Sequence, residues 1–132
     1  MKKIILLLLF LIFANASDNF YYQNDKKNEL TPIKTIQKLQ KKDSNQTIDY
    51  YKKDNGQIVG VTQEIIIKLK DKKAFKSIIK KYAISFKQKL TNTLYVVETN
   101  STKNTLYITN LLYNDANIIY AHPNFIKRID KR

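Results

Sequence analysis

Glu64-Ile65-Ile66-Ile67-Lys68-Leu69-Lys70-Asp71 decides how this chain is read. Glu64 to Leu69 is a β-branched apolar run suited to a buried strand. Asp71 offers a side-chain oxygen that can cap whatever follows. Ala74, Phe75, Ile78, Ile79 and Tyr82 then fall on one helical face. Downstream, Ile84, Phe86 and Lys89-Leu90 suggest a second strand, Thr91-Asn92 a turn, and Leu94 to Glu98 a third strand. Ser101 can cap a second helix with Leu106, Tyr107, Asn110, Leu111 and Tyr113 around its inner side. Ile118 to Tyr120 opens a fourth strand.

Strand, helix, strand, strand, helix, strand is the order of an α+β ferredoxin-like plait: a four-stranded antiparallel sheet with two helices on one face. Unrelated modules share that plait, so it names no function. Upstream, Phe20, Tyr21 and Tyr22 followed by polar Gln23 to Lys27 read as a short hairpin or aromatic arm, broken at Thr31-Pro32. Ile33 to Lys42 carries a weak amphipathic turn, and Asp43 to Thr47 reads as loop. Ile48 to Tyr51 and Gln57 to Val61 flank Asn55-Gly56, the signature of a type I′ hairpin.

Met1 to Ala16 has the physics of a signal peptide. Lys2 and Lys3 precede an apolar run from Ile4 to Phe13, and Ala14-Asn15-Ala16 is a small-x-small cleavage site ending at Ala16. The run is short for a finished membrane span. The expected organisation is signal peptide 1–16, N-terminal extension 17–62 and plait domain 63–132 with a C-terminal tail. The product is expected to be exported, periplasmic or extracellular, monomeric, and free of an integral membrane segment.

The formal charge is +13, or 13 − 2 = +11 without Lys2 and Lys3. The lysines are scattered in pairs in an Asn- and Ile-rich chain, and an exported protein seldom meets nucleic acid, so no nucleic-acid partner is expected. There is no Cys, hence no disulfide and no thiolate ligand. The lone His122 has no His-x-x-x-His partner, so neither a metal nor another cofactor is expected. No Ser follows His122, no Gly-x-Ser-x-Gly occurs, and two glycines build no phosphate loop. A non-enzyme is expected. Tyr82, Tyr95, Tyr107 and Tyr113 read as core, whereas Tyr21, Tyr22, Tyr50 and Tyr51 read as exposed contacts. Asp43-Ser44-Asn45-Gln46-Thr47 and Glu98-Thr99-Asn100-Ser101-Thr102 fit an acidic-x-Asn-x-Ser/Thr acceptor, making Asn45 and Asn100 glycosylation candidates.

Ile119-Tyr120-Ala121-His122-Pro123-Asn124-Phe125, closing the plait order, resembles the end of the propeptide of secreted subtilisin-like serine proteases. Leu30-Thr31-Pro32, Ile48-Asp49-Tyr50-Tyr51 and Gly60-Val61-Thr62 are similar to the leader of some long precursors of that family. The resemblance implies that the sheet packs on the protease and that the segment from Pro123 onward lies in its cleft by strand addition. It makes Tyr120, His122, Pro123, Asn124, Phe125, Ile126 and Arg132 the protease-binding candidates. His122 stands where the family usually has an acidic residue, which puts tight binding to a standard member in doubt. Seven residues follow Phe125, so the expectation is a module that inhibits a protease, or assists its folding, in trans. Two alternatives stay open: an inactive leftover of a truncated precursor, and a basic module binding the cell envelope.

Overall fold

The computed structural model describes residues 19–33 and 48–127. The signal segment with Ala16, nearly all of the Ile33–Lys42 turn, the loop with Asn45, and Arg132 lie outside the described residues. Among the described residues, an α+β fold holds nine strands in two antiparallel sheets and two α-helices.

Strand β5 (Glu64–Leu69) runs through the middle of the four-stranded sheet. Ile65, Ile67 and Leu69 are fully buried, while Ile66 and Lys68 are half-buried. The strand therefore has one core face, which its continuous apolar run conceals. Strand β7 (Leu94–Glu98) pairs on one side, with Ile65 opposite Val97 and Ile67 opposite Tyr95. Strand β8 (Ile118–Pro123) pairs on the other, with Ile67 opposite Ala121. Strand β6 (Ser85–Lys89) adds outside β7, giving the order β6-β7-β5-β8.

Helix α1 (Phe75–Tyr82) follows a 3-10 turn, and Asp71 Oδ1 accepts the Lys73 N–H at 3.0 Å. The helix ends at Ala83, whose φ of 53° is left-handed. The Ile84 N–H donates back to the Ile79 carbonyl at 3.2 Å, a Schellman-type closure without the usual glycine. Helix α2 (Thr102–Tyr113) is capped by Ser101 Oγ, which accepts the Lys103 N–H at 3.2 Å. Ile78 from α1 and Leu112 from α2 join Ile65, Ile67, Leu69, Val97 and Ala121 in one core, so both helices cover the same face of the sheet. Burying each of these aliphatic side chains contributes about 1.5–3 kcal/mol.

The inner side of α2 differs from the sequence expectation. Tyr107 and Leu111 are exposed, and Thr105, Thr109 and Leu112 are buried instead. The two threonines go inside because their hydroxyls are satisfied there. Thr105 Oγ1 donates to the Thr62 carbonyl at 2.6 Å, and Thr109 Oγ1 to the Thr105 carbonyl at 2.6 Å.

The five-stranded sheet is built mostly from the N-terminal part. Strands β1 (Phe20–Gln23), β2 (Lys26–Pro32), β3 (Asp49–Lys53) and β4 (Ile58–Val61) follow one another as antiparallel neighbours. The type I′ geometry sits at Asn24 and Asp25, with φ of 53° and 61°, and not at Asn55-Gly56. At the second hairpin only Gly56 has positive φ, and its N–H donates to the Lys53 carbonyl at 2.9 Å. That is a type I turn closed by a glycine bulge. Tyr21, Leu30, Val59 and Val61 meet Leu106 of α2 in a second core, flanked by Tyr51 and Phe125. The N-terminal part thus packs onto the four-stranded unit. Tyr21 is buried, and Tyr22, Tyr50 and Tyr51 are half-buried, so none is the freely exposed contact expected of it.

Candidate functional site

Beyond the core, the alternation of β5 and β8 creates a second surface on the sheet face away from the helices. His122 lies opposite Ile66, and Tyr120 opposite Lys68; Val96 of β7 flanks Ile66 on its other side. Tyr120 is exposed, His122 half-buried. The tip of the first hairpin stands beside this surface as a wall. Tyr22, Gln23 and Asn24 face Ile66, Tyr120, Ala121 and His122 across a cleft of about 370 Å³ that also touches Tyr113. Tyr22 and Tyr113 stack at 4.5 Å with 12° between their planes. Tyr113 in turn donates to Asp25 Oδ1 at 2.5 Å, tying the hairpin tip to the end of α2. A second hollow of about 310 Å³ continues past His122, lined by Pro123, Asn124, Phe125, Lys53 and Lys127 among others.

The segment from Pro123 was expected to run out as a loose tail. Its first five residues are instead ordered into the fold. Pro123 is fully buried. Asn124 donates its N–H to the Glu64 carbonyl and its amide to Glu64 Oε1, both at 3.0 Å. The Phe125 N–H closes a tight turn onto the Pro123 carbonyl at 3.0 Å. Phe125 enters the second core. Ile126 and Lys127 form β9 on the edge of β4, opposite Gly60 and Val59. Gly60 is needed there: a Cβ on it would stand 2.7 Å from Ile48 Cγ2.

His122 has an internal role that its place in the sequence did not disclose. Its ring meets Tyr21 edge-on at 5.3 Å and Phe125 at 5.2 Å, while Tyr21 and Phe125 meet at 5.0 Å. Burial holds its pKa below the usual imidazole value, and the nearby positive Lys53 pushes the same way, against a backbone hydrogen bond at Pro123. The imidazole is a neutral packing group at physiological pH. Glu64 carries the charge in this corner, with Lys87 Nζ 2.7 Å from its Oε2. Sequence reasoning marked Tyr22 as a contact but missed Glu64, Gln23 and Asn24, because each enters the surface through a contact distant in the chain.

Asn100 is exposed, between β7 and α2, but its Oδ1 accepts from Asn104 Nδ2 at 3.2 Å. Thr99 and Thr102 beside it are buried. Among the described residues, no group of three or more His, Cys, Asp or Glu gathers in a metal-holding cluster. None of the described helices is long and apolar enough to cross a membrane. Comparison with protein-family models, with curated proteins and with solved structures gives no match.

Proposed function

We propose that the protein is an exported module similar to subtilase propeptides, which binds and inhibits a subtilisin-like serine protease in trans, or assists its folding, without catalysing a reaction itself. The observation that carries this reading is the position of the closing motif. Ile119 to Phe125 leaves the sheet from the strand beside central β5, at the border of the cleft lined by Ile66, Tyr120 and His122. The order β6-β7-β5-β8, antiparallel throughout with both helices on one face, supports the ferredoxin-like plait.

In this reading the cleft of Tyr22, Ile66, Tyr120 and His122 is the docking surface. The protease-entering segment begins after Lys127, since Pro123 to Lys127 are held by the fold. Tyr120 supplies a large amphipathic ring of the kind that dominates interface energetics. Asn124, fixed by Glu64, aims the outgoing chain. His122 lines that cleft as a neutral ring packed against Tyr21 and Phe125, instead of presenting a charge to the partner.

The test is inhibition of a subtilisin-like protease by the chain from Ser17 onward, which keeps every described residue. Slow-tight inhibition is expected. Replacing Tyr120 by Glu, which leaves the core untouched, should weaken it at least tenfold, about 1.4 kcal/mol. Removing residues 128–132 should weaken it as well. Absence of inhibition and of any aid to refolding of such a protease would overturn the reading.

A further inference from the structure

The flank of α2 that faces the first hairpin holds a hollow that the proposed protease contact leaves unused. Phe20, Tyr22, Tyr107, Asn110, Leu111 and Asn114 line its space of about 190 Å³. Tyr107, Asn110, Leu111 and Asn114 follow one another at i, i+3, i+4 and i+7, a single stripe along α2 and its cap. Phe20 and Tyr22 are alternate residues of β1, so both rings stand on the same side of that strand, meeting edge-on at 5.6 Å. None of the six carries a charge, in a chain with 24 Lys and Arg and 11 Asp and Glu. Lys27 stands 4.3 Å over the Phe20 ring, and Lys103 lies one turn before Tyr107; these cations border the hollow without lining it.

Asn110 is only 8% exposed, and its Oδ1 is the one buried side-chain nitrogen or oxygen without a hydrogen-bond partner among the described residues. Its Nδ2 donates to the Phe20 carbonyl at 3.0 Å, which fixes the way the amide is turned. Asn114 repeats the arrangement at the rim. Its Nδ2 donates to the Asn110 carbonyl at 3.0 Å, and nothing among the described residues donates to its Oδ1. Both amides therefore have their nitrogen engaged inside the protein and an acceptor oxygen left over. A buried acceptor without a donor is costly, and a ligand that brings donors offsets the cost. Tyr107, one turn before Asn110, is 55% exposed and is held by no hydrogen bond or ring contact among the described residues.

These features select the ligand. Acceptor oxygens disfavour a phosphate or carboxylate, which brings no donor. An acyl chain would cover Asn110 and Asn114 and leave both unmatched. A cation would be held off by Lys27 and Lys103. A sugar ring meets every wall: its C–H face lies on an aromatic ring, whose face is negative, and its hydroxyls donate at the edge. We infer that this hollow binds an uncharged sugar ring, stacked on Tyr107, with hydroxyls donating to Asn110 Oδ1 and Asn114 Oδ1. Binding turns the free Tyr107 ring over the sugar and opens Asn110 Oδ1 to it, a motion ordinary for an exposed side chain. Only Tyr22 is shared with the cleft of Tyr120 and His122, and the inference does not depend on the protease reading.

The experiment is an NMR titration of the chain from Ser17 onward with cellotriose, maltotriose and N,N′,N″-triacetylchitotriose. Saturable shifts at Phe20, Tyr107, Leu111 and the Asn110 side-chain amide are expected with at least one of them. The Kd should be about 1 mM, since the hollow takes a single ring. It should not change with salt, because no charge pair forms. The cationic trimer of glucosamine should not bind. Tyr107→Ala, at an exposed position, should weaken binding by about tenfold. Asn114→Leu should weaken it by about fivefold. Tyr120→Glu should leave it as it is. Absence of shifts with all three sugars, full affinity in Tyr107→Ala, or shifts centred on Tyr120 and His122 would each overturn the inference. Loss of protease inhibition in Tyr107→Ala, with no sugar bound by the parent chain, would make the hollow a protein contact instead.

Discussion

Glu64 and Asn124 are joined twice, backbone to backbone and side chain to side chain, each at 3.0 Å, where the first strand of the four-stranded sheet begins and the closing strand ends. The pair fixes the direction in which the chain leaves β8. Replacing Asn124 by Ala removes the side-chain link and leaves the backbone one. It should lower stability by about 1 kcal/mol and make the segment after Phe125 more sensitive to limited proteolysis. Unaltered cleavage kinetics there would show that Glu64 does not steer the exit.

Ala83 holds a left-handed φ of 53° that a Cβ makes unfavourable. Ala83→Gly should relieve that strain and stabilise the protein by about 1 kcal/mol, a rise in Tm of roughly 4–8 °C. A calorimetric midpoint that falls would mean the helix end is held by something other than its backbone closure.

Gly60 is the opposite case. Its φ is unremarkable, but the space beside it is filled by Ile48 Cγ2 at 2.7 Å and Tyr50 Cε1 at 3.2 Å. Gly60→Ala should push β3 or β9 aside and cost about 1–3 kcal/mol in denaturant unfolding. Amide exchange at Ile126 and Lys127 should rise with it. Wild-type protection in the variant would show that a Cβ at residue 60 does not disturb the β4–β9 pairing.

The buried hydroxyl of Thr105 joins three elements, donating to the Thr62 carbonyl and lying 3.1 Å from Thr99 Oγ1. Thr105→Val keeps the shape and removes the donor. The Thr62 carbonyl is left buried and unmatched, so a loss of about 1–3 kcal/mol is expected in chemical denaturation.

His122 sets a pH dependence. Its pKa in the folded protein lies below the ordinary value through burial, with Lys53 acting in the same direction. The groups around it are the uncharged rings of Tyr21 and Phe125, and Lys53. Folding therefore favours the neutral imidazole. The stabilisation is complete above the unfolded value, about pH 6.5, and is lost as pH falls through the lower folded value. Tm should drop on acidification across that window, and His122→Phe should flatten the drop. Parallel curves for the two proteins would disprove the assignment.

The parts of the fold governed by near neighbours were legible in the chain. Glu64 to Leu69, the caps at Asp71 and Ser101, and the order of strands and helices from residue 64 to Tyr120 followed from periodicity and turn chemistry. The reading of α2 failed at Thr105 and Thr109, which count as polar in any pattern but are buried because a carbonyl waits for each. Asn55-Gly56 satisfied the dipeptide rule, yet loop length chose a type I turn there, and Asn24-Asp25 took the mirror turn without glycine. The candidate surface was half legible. Tyr22 and Tyr120 to Phe125 could be marked on sequence, but the meeting of Tyr22, Gln23 and Asn24 with that strand depends on docking between distant segments, which no local signal encodes.

The Tyr21–His122–Phe125 cluster brings together side chains roughly a hundred residues apart. Closing so long a loop has an entropic cost that only contacts made at the end of folding offset. A nascent chain lacking its last segment would hold its first hairpin only through α2, by the Tyr22–Tyr113 stack and the Tyr113–Asp25 bond. Completion of this architecture waits on the arrival of Phe125, as a clasp waits for its tongue.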